Sequence, residues 1–454
     1  MSLPMNPDEI DALPDSALFA RVVSDGRWEC PKHLAHVGCA LDDVAEGRCK
    51  RLMIFMPPRH GKSEFVSRYF PAHFLRKQPR GRVILTSYEA SFAEYWGEQA
   101  RDAWLLAGEV FGLSRRLKKS RGNWWSIAGE EGYMTTAGVG GPITGKGMDV
   151  GIIDDPIKNA EEAYSVTRRE AIWNWYLSTF TTRLEPGGSI ILMMTRWHDD
   201  DLAGRLLKRE PDNWRVIRLP AIAEEGDEIG RAPGEALWPE RFPADALAAF
   251  RDASTRWWSA MYQQRPLAAE GSVAKREWFG ILDAMPAGIR HAARAWDLAA
   301  TASAKADFLC GTKVERVGHL FVIADVSRAR LGPAEVLGRM QSVSRQDGPT
   351  VRIGVEQEPG ASGKITVANI AASLAGYRIQ ALAPSGSKEF RSLPFLDQAR
   401  AGNVKLLRAS WNDAFLAEVD SFPVGEHDDQ VDTAAYAFNM VAPPQFVGIS
   451  LPPD

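Results

Sequence analysis

The segment MPPRHGKSE, which begins at Met56, combines the residue types that proteins use to bind the phosphates of a nucleotide. Backbone N–H groups of a tight turn can surround phosphate oxygens, while a lysine reaches the terminal phosphates and a serine hydroxyl binds Mg²⁺. Gly61, Lys62 and Ser63 supply that ending, although Met56 stands where the usual motif has its first glycine. The segment predicts a phosphate-binding loop. The plainer alternative is a helix N-terminus with a surface lysine.

Two neighbouring aspartates, Asp154 and Asp155, follow the apolar run VGII. An acid at the carboxyl end of a buried strand can hold Mg²⁺ through water, and a second acid can orient or deprotonate the attacking water in phosphoryl transfer. We assign the first role to Asp154 and the second to Asp155. Because Pro156 follows and aspartate is common at helix starts, a capping pair is the alternative.

Two further segments of the first half could contribute to this chemistry. The run SIILMMTRW carries Thr195 and Arg196 at its end, where a polar side chain could sense the terminal phosphate; a strand-end turn fits equally well. The run TTAGVGGPITGKGMD, from Thr135, has glycines that permit tight turns, and it carries Lys146. It could bind DNA phosphates or reach the nucleotide of a neighbouring subunit, or it could be a flexible surface hairpin.

Acidic residues recur in the second half where a metal-dependent nuclease would need them. Asp297 lies inside the apolar run ARAWDLAA, and Glu356 lies near the end of RIGVEQ. The segment HDDQVD places Asp428, Asp429 and Asp432 at the start of a terminal helix. A carboxylate in a central strand is unfavourable unless a metal or hydrogen bonds compensate it. Converging acids would hold two divalent ions, Mg²⁺ or Mn²⁺, about 4 Å apart for phosphodiester cleavage.

Each of these acids also has an ordinary structural interpretation. Asp297 could cap a turn, Glu356 could be a surface residue, and the aspartate pair could simply be stabilised by a helix N-terminus. The segment SKEFRS adds Lys388 and Arg391 on one helical face, where they could clamp a DNA phosphate. A solvated basic face explains them nearly as well. The tryptophan pairs at 124–125 and 257–258 are more typical of a core or interface than of base stacking.

Alternating apolar and amphipathic segments predict the elements that carry the first group of residues. Buried strands are expected at RLMIFMP, RVILTSY, VGIIDD, SIILMMTRW and WRVIRLP, and helices at 89–107 and 161–183. This alternation is typical of a mostly parallel sheet covered on both faces. From about Pro239 to Ala287, prolines, glycines and clustered aromatics predict a hinge helix and a packed linker.

The order of elements changes after His291. Three strand-like runs, HAARAWDLAA, DFLCGTKVER and HLFVIADVSRA, precede a helix at 333–345, a strand at TVRIGVEQ, a helix, a strand at RIQALAP and helices to the end. A three-strand meander followed by alternating helix and strand is the order of a ribonuclease-H-like sheet. We therefore predict α/β domains at residues 1–245 and 288–454, joined by a linker or hinge at 246–287.

The composition is that of a globular enzyme with two or three domains. The 454 residues are 45% apolar and 25% charged, and the net charge of -4 excludes a globally basic nucleic-acid coat but not local basic grooves. The cysteines form no C-x-x-C pair, so no zinc site is indicated and a reducing compartment fits. We expect neither a signal peptide nor a membrane helix, and therefore a soluble cytoplasmic protein.

Taken together, the motifs resemble the large subunit of tailed-phage or prophage terminases. They are PPRHGKSE, TSY at Thr86, GVGGPITGKGMD, IIDDPIK, TRWHDDDLAGRLL, LWPERF and HDDQVDTAAYAF, and the resemblance extends from about Trp28 to Met440. It implies an N-terminal P-loop ATPase of the additional-strand type and a C-terminal ribonuclease-H-like nuclease. It also implies a protein that uses ATP to move double-stranded viral DNA into a procapsid through the portal, and that cuts concatemeric DNA.

The resemblance also assigns roles to residues. The variant Walker A motif that binds the nucleotide corresponds to Arg59, His60, Gly61, Lys62 and Ser63. The Walker B acid is Asp154, which shares Mg²⁺ with Ser63; the catalytic carboxylate is Asp155, and the coupling motif contains Thr195. The nuclease metal ligands are Asp297, Glu356 and Asp429, with Asp428 as a candidate fourth. Which member of the 428–429 pair binds metal directly stays open, and no motif assigns a trans-acting arginine.

The same resemblance implies partners and a location. We expect a homo-oligomeric ring on the portal protein, a small terminase subunit that selects the DNA, and no membrane association. The protein would act in the host cytoplasm, transiently on the procapsid and not in the mature virion. ATP and Mg²⁺ are the expected cofactors, with Mn²⁺ as an alternative at the nuclease site.

Two other functions compete with this interpretation. A cellular helicase-nuclease would use the same chemistry, but the sequence contains no second helicase-type motor domain. A non-catalytic DNA-binding remnant of a prophage would not need the acids that are intact at both predicted sites.

Overall fold

The chain folds into two compact units, one within Met1–Ala268 and the other within Ala269–Asp454. The computed structural model describes residues 13–111, 117–253, 255–266, 274–298, 308–358, 360–384, 387–423 and 427–443. Each unit has its own sheet and its own hydrophobic core, so the predicted mixed α/β class is confirmed. The linker at 246–287 stays a prediction. None of the described helices is long and apolar enough to cross a membrane.

The first unit contains an eight-stranded sheet. Its strands are β1 (Arg51–Phe55), β2 (Arg82–Ser87), β3 (Leu117–Arg121), β4 (Trp124–Ile127), β5 (Tyr133–Gly138), β6 (Met148–Asp154), β7 (Leu184–Met194) and β8 (Arg215–Arg218). Their order is β3-β4-β5-β2-β6-β7-β1-β8. The five predicted strands are β1, β2, β6, β7 and β8, and they are parallel to their neighbours. Because β7 lies between the strand before the phosphate loop and the strand that ends in Asp154, the additional-strand arrangement is confirmed.

Three strands at one edge of this sheet were not predicted. The strands β3 and β4 form an antiparallel hairpin, and β4 pairs antiparallel with β5. The sequence LKKSR of β3 has no apolar periodicity, which is typical of a solvent-facing edge strand. Trp125 on β4 is buried in the core, and its Nε1 donates to the carbonyl of Gly97 at 3.1 Å. The core interpretation of this tryptophan is therefore confirmed.

Helices surround the first sheet. The α-helices are Asp15–Val23, Lys32–Ala45, Phe70–Lys77, Ala90–Val110, Ala160–Tyr164, Val166–Trp175, Leu202–Arg209, Ala244–Ala253 and Thr255–Trp257. The π-helical segments are Glu64–Tyr69, Tyr176–Phe180 and Trp258–Tyr262, and the 3-10 turns are Thr181–Arg183 and Pro211–Asn213. The single helix predicted over 161–183 is wrong in one respect. Ser165 interrupts it, because its side chain accepts a hydrogen bond from the N–H of Arg168 and starts a new helix.

Both faces of the central strands are buried. Leu52 and Ile54 of β1 belong to a core cluster with side chains of the helices Asp15–Val23 and Lys32–Ala45. Met53 and Phe55, which alternate with them and so point to the other face, are also fully buried. A strand covered on both sides has no need of polar alternation, which is why the apolar runs were recognisable in the sequence.

The second unit contains a seven-stranded sheet. Its strands are β9 (Gly280–Leu282), β10 (Arg290–Asp297), β11 (Leu309–Val317), β12 (Leu320–Ala329), β13 (Arg352–Glu356), β14 (Ile379–Leu382) and β15 (Val404–Leu407). Their order is β14-β13-β10-β11-β12-β15-β9. β10, β11 and β12 form the predicted antiparallel meander, and β13 and β14 are parallel. The ribonuclease-H-like order is confirmed, but the prediction of helices only after RIQALAP is wrong, because β15 pairs with β12.

The helices of the second unit are Pro333–Asp347, Ala361–Ser373, Lys388–Arg400, Asn412–Ser421 and Asp429–Val441, with a 3-10 turn at Arg276–Trp278. The helix Asp429–Val441 packs against β10 and β11. Thr433 fixes this packing, because its hydroxyl lies 2.8 Å from that of Thr312 on β11. Phe279, next to β9, is buried against Phe395 and Phe415. The chain around β9 therefore belongs to the core of this unit.

Candidate active sites

The phosphate loop follows β1 and has the backbone of an anion-binding turn. Arg59 and Gly61 have positive φ angles of 61° and 87°. Turns that contain left-handed residues can direct neighbouring N–H groups at one anion. The positive φ of Gly61 favours glycine, and a Cβ there would also lie 3.0 Å from Leu34 Cδ1, which would have to shift slightly. The loop geometry therefore fits the predicted role.

The ammonium group of Lys62 is buried between two predicted partners. Its Nζ donates to Thr195 Oγ1 at 2.8 Å and lies 2.8 Å from Asp155 Oδ2. The backbone N–H of Thr195 donates to Asp155 Oδ1 at 2.7 Å, which closes a triangle. The three residues come from the phosphate loop, the end of β7 and the end of β6. Parallel strands thus bring together side chains that are far apart in the sequence.

Asp154 is fully buried and is held by two serine hydroxyls. Ser63 Oγ donates to Oδ1 at 3.1 Å, and Ser67 Oγ donates to Oδ2 at 2.8 Å. Burial, and then the negative charge of Asp155, raise the pKa of Asp154 to about 7. A hydroxyl and a carboxylate side by side are the groups that bind Mg²⁺ in P-loop proteins, so these residues fit that ion.

Ser67 was not predicted. It lies in the π-helical segment Glu64–Tyr69, four residues after Ser63, and this turn places its hydroxyl beside Asp154. The only feature of the sequence that could have indicated Ser67 was its position one helical turn after Ser63, a predicted ligand.

Asp155 is held in an unusual backbone conformation with φ 44°. Its N–H donates to the carbonyl of Met193 at 2.9 Å, and its carbonyl accepts from the N–H of Tyr88 at 3.1 Å. Neighbouring strand ends therefore fix this left-handed turn, and strained residues of this kind concentrate at functional sites. The alternative of a helix-capping pair is wrong, because Asn159 caps the following helix.

His60 supports the phosphate loop by packing. Its Nδ1 donates to the carbonyl of Pro58 at 2.8 Å, and its ring lies 4.8 Å from that of Phe242. His33 Nε2 donates to the carbonyl of His60 at 3.1 Å. Burial lowers the pKa of His60 to about 3 and that of His33 to about 4. Both imidazoles are therefore neutral at physiological pH and shape the loop without contributing charge.

The glycine-rich segment begins as a strand, because β5 includes Thr135 and ends at Gly138. Lys146 turns back onto this strand, and its Nζ donates to Thr135 Oγ1 at 2.6 Å. Burial lowers the pKa of Lys146. Its contacts with DNA or with a neighbouring nucleotide stay predictions.

Two predicted acids of the second unit lie at the ends of neighbouring strands. Asp297 ends β10 and Glu356 ends β13, and these strands are paired in parallel. Burial, followed by the negative charges of Glu356, Asp429 and Asp432, raises the pKa of Asp297 to about 7. The helix Asp429–Val441 thus brings its first turn close enough to β10 for its acids to repel Asp297.

Two cations of the helix Lys388–Arg400 pair with these acids. Lys388 Nζ lies 2.7 Å from Asp428 Oδ1 and 3.7 Å from Asp432 Oδ2. Arg391 Nη2 lies 3.2 Å from Asp432 Oδ2. The side chain of Arg391 is therefore mostly buried against an acid, whereas that of Lys388 stays 46% exposed, and the contact of both residues with DNA stays a prediction. Asp432, which received no ligand role from the sequence, is almost completely buried, and burial raises its pKa to about 6.

Asp429 has an unsatisfied carboxylate oxygen. Its Oδ2 is buried without a hydrogen-bond partner, and Arg328 Nη2 lies 3.9 Å away. Burial, followed by the charges of Glu418 and Asp428, raises its pKa. Across the described ranges, no three Asp, Glu, His or Cys side chains are close enough to bind a common ion. The acids fit divalent cations by their chemistry and by this orphaned oxygen, while their convergence to ligand distances stays a prediction.

Comparison with family models identifies the protein family to which the two units belong. A family model described as "Terminase large subunit, T4likevirus-type, N-terminal" matches residues 53–281, and one described as "Terminase RNaseH-like domain" matches residues 294–441. Together they cover most of the chain. The protein belongs to the family of terminase large subunits. A comparison with curated proteins gave no match.

Several solved terminase structures align with this chain. The large terminase of a thermophilic bacteriophage, in complex with ADP, is 10% identical, with a TM-score of 0.47 over 93% of this chain and 98% of that chain. The large terminase of bacteriophage HK97 is 10% identical, with a TM-score of 0.38 over 91% and 94%. The human cytomegalovirus terminase nuclease domain, Mn soaked and inhibitor bound, is 14% identical, with a TM-score of 0.28 over 34% and 84%.

Proposed function

We propose that this protein is a viral DNA-packaging motor with its own nuclease. It hydrolyses ATP to translocate double-stranded DNA into a procapsid through the portal, and it cleaves concatemeric DNA at a two-metal site. The observation that carries the proposal is the triangle of Lys62, Asp155 and Thr195, which joins a phosphate-binding lysine to a carboxylate and a strand end. Membership of the terminase family supports the packaging role.

In the ATPase, Lys62 would leave Asp155 and Thr195 to bind the terminal phosphates. This exchange frees the carboxylate of Asp155, which stays oriented by the N–H of Thr195, to orient a water molecule or accept its proton. Ser63 and Asp154 would hold Mg²⁺, whose charge neutralises the phosphates during transfer. Thr195 loses its contact with Lys62 in the same exchange, so the end of β7 can respond to the nucleotide.

In the nuclease, Asp297, Glu356 and Asp429 would hold two Mg²⁺ or Mn²⁺ ions, with Asp428 as a candidate fourth ligand. Such ions activate a water molecule and stabilise the leaving oxygen of a phosphodiester. Asp297 must be ionised to take part. Because the pKa of Asp297 is raised to about 7, bound cations and a higher pH should both favour its ionised form, which is the active one.

The proposal extends to partners and location. The protein would form a homo-oligomeric ring on the portal, receive DNA from a small terminase subunit, and work in the host cytoplasm. A packaging assay tests this function: purified procapsids, linear DNA and the protein are mixed with ATP, and DNA protected from nuclease is measured. We expect protection with wild type and none with Lys62→Ala. ATP-dependent strand separation without protection would instead identify a helicase-nuclease.

A further inference from the structure

A buried glutamine connects the ATPase triangle to the last described turn of the first unit. Gln264 is fully buried, and its side-chain Oε1 accepts a hydrogen bond from the backbone N–H of Arg196 at 3.3 Å. Its Nε2 donates to the carbonyl of Met261. Both ends of the amide are therefore used, one on the strand end after β7 and one on the π-helical segment Trp258–Tyr262.

The strand end that Gln264 contacts is otherwise tied to the nucleotide site. Arg196 follows Thr195 directly, and Thr195 contacts both Lys62 and Asp155. The side chain of Arg196 is buried, with its Nε bonded to Asp201 Oδ2 at 2.8 Å and its guanidinium 5.1 Å from the ring of Phe55 on β1. The strand end at Thr195 and Arg196 therefore has few contacts through which a shift of Thr195 could be transmitted. The hydrogen bond from the N–H of Arg196 to Gln264 is one of them.

The turn that contains Gln264 is held together by hydrogen bonds and by a stacked pair of aromatic rings. The N–H of Arg265 donates to the carbonyl of Ser259 at 2.7 Å, and Ser259 Oγ donates to the carbonyl of Arg265 at 2.6 Å. The rings of Trp258 and Tyr262 are stacked with 5.3 Å between centroids. These contacts close the turn on itself, so residues 258–265 form one hydrogen-bonded unit that includes Gln264.

The neighbouring residue Gln263 makes different hydrogen bonds and therefore supplies a control. Gln263 Oε1 accepts from the N–H of Ile222, and its Nε2 donates to the carbonyl of the same residue, each at 3.1 Å. Its Nε2 also donates to Glu224 Oε1 at 3.0 Å. These bonds anchor the turn to the segment after β8 and not to the strand end at Arg196. Variants of these two adjacent glutamines can therefore distinguish anchoring of the turn from its contact with the nucleotide site.

We propose that Gln264 is a positioning residue that holds the strand end at Thr195 and Arg196 for ATP hydrolysis and moves the turn 258–265 when the nucleotide changes. This inference rests on the proposed ATPase function. The turn ends shortly before Ala268, where the first unit ends, so it is placed to report the state of the nucleotide to the chain that continues into the second unit.

The variant Gln264→Asn tests the proposal without straining the backbone. Gln264 has a φ of 56°, a conformation that asparagine tolerates well, but the asparagine side chain is one methylene too short to reach Arg196. We expect kcat for ATP hydrolysis to fall about tenfold with KM for ATP nearly unchanged, because a buried N–H is left unpaired near the reacting groups and not at the nucleotide. Gln263→Ala should lower thermal stability while keeping kcat close to wild type.

Hydrogen–deuterium exchange of residues 258–266 gives a second readout that does not require hydrolysis. In the full-length wild type, exchange should differ between ADP and a non-hydrolysable ATP analogue, and Gln264→Asn should abolish the difference. The proposal would be overturned by a wild-type kcat in a folded Gln264→Asn protein, or by equal losses of kcat in the two glutamine variants. It would also be overturned if exchange of this segment in the wild type were the same with ADP and with the ATP analogue. A wild type that binds ATP without hydrolysing it would refute the ATPase function, while the exchange difference would still decide the role of Gln264.

Discussion

Asp154 is fully buried and Asp297 is partly exposed; both have a pKa raised to about 7, but their hydrogen-bond partners and neighbouring charges differ. Asp154 accepts hydrogen bonds from two hydroxyls and lies near the ammonium of Lys62. Asp297 is surrounded by the negative charges of Glu356, Asp429 and Asp432, which the positive charge of Lys388 only partly opposes. The proposed ATP site is thus assembled by hydrogen bonds within the protein, whereas the proposed nuclease site collects negative charge that cations would compensate.

The largest expected effect comes from removing the charge that closes the ATPase triangle. Lys62→Ala should lower DNA-stimulated ATP hydrolysis on the order of 10³-fold, because the terminal phosphates lose a positioned cation. The measurement is phosphate release at saturating ATP. Lys77→Ala, which removes a surface lysine paired with Asp15, is the matched control and should hydrolyse ATP normally. Comparable losses in both variants would remove Lys62 from the mechanism.

The nuclease should show a trade-off between stability and activity at Asp297. Up to about pH 7 the folded protein keeps a proton on this carboxyl that the unfolded chain releases near 3.8, so the free energy of unfolding falls as pH rises through this range. Asp297→Asn should therefore raise the Tm of the second unit at pH 7 in EDTA, by about 2–4 °C for each kcal/mol of repulsion removed. The same variant should not cut DNA.

Calorimetry between pH 4 and 8, together with plasmid nicking in Mg²⁺ and Mn²⁺, checks both halves of this expectation. For wild type at limiting metal, cutting should increase as pH rises through 7. A variant that loses both stability and activity would mean that Asp297 is a structural hydrogen-bonding group.

A smaller effect is expected at Lys388, which pairs with Asp428 and approaches Asp432. Since an ammonium group and a metal ion compete for the same carboxylates, Lys388→Ala should lower the Mn²⁺ concentration needed for half-maximal cutting. A Mn²⁺ titration of nicking activity measures this. Arg400→Ala, at the exposed end of the same helix, should leave the titration unchanged. An unaltered midpoint in Lys388→Ala would show that the lysine does not compete with metal.

The smallest effect concerns Ser67, one of two hydroxyls on Asp154. Ser67→Ala should lower kcat for ATP hydrolysis by about 3–10-fold, because one hydrogen bond to a buried carboxylate is lost while Ser63 remains. Ser63→Ala should cost more, since that residue would also bind Mg²⁺. The two variants are compared in a Mg²⁺ titration of ATP hydrolysis. A larger loss in Ser67→Ala would exchange the two roles.

The same contrast explains what the sequence could predict. The central strands of the first sheet are buried on both faces, so their apolar runs were visible, and Lys62, Asp154 and Thr195 lie at the strand ends where such sheets bind phosphates. The edge strand β3 is polar and β15 has only four residues, so neither has a recognisable period.

Other residues depend on tertiary packing. Asp432 becomes part of the acid cluster only because the helix Asp429–Val441 packs on β10. Lys388 and Arg391 were recognised as a pair on one helical face, but their acidic partners lie about 40 residues later in the chain. Gln264 meets Arg196 across 68 positions, and no local pattern marks it.

The central claim is that one chain carries two active sites that depend on different residues. The most direct measurement is a parallel assay of ATP hydrolysis and plasmid nicking in full-length wild type, Lys62→Ala and Asp297→Asn. We expect Lys62→Ala to nick DNA without hydrolysing ATP, and Asp297→Asn to hydrolyse ATP without nicking DNA. Loss of both activities in either folded variant, or nicking by Asp297→Asn that survives EDTA, would contradict the account.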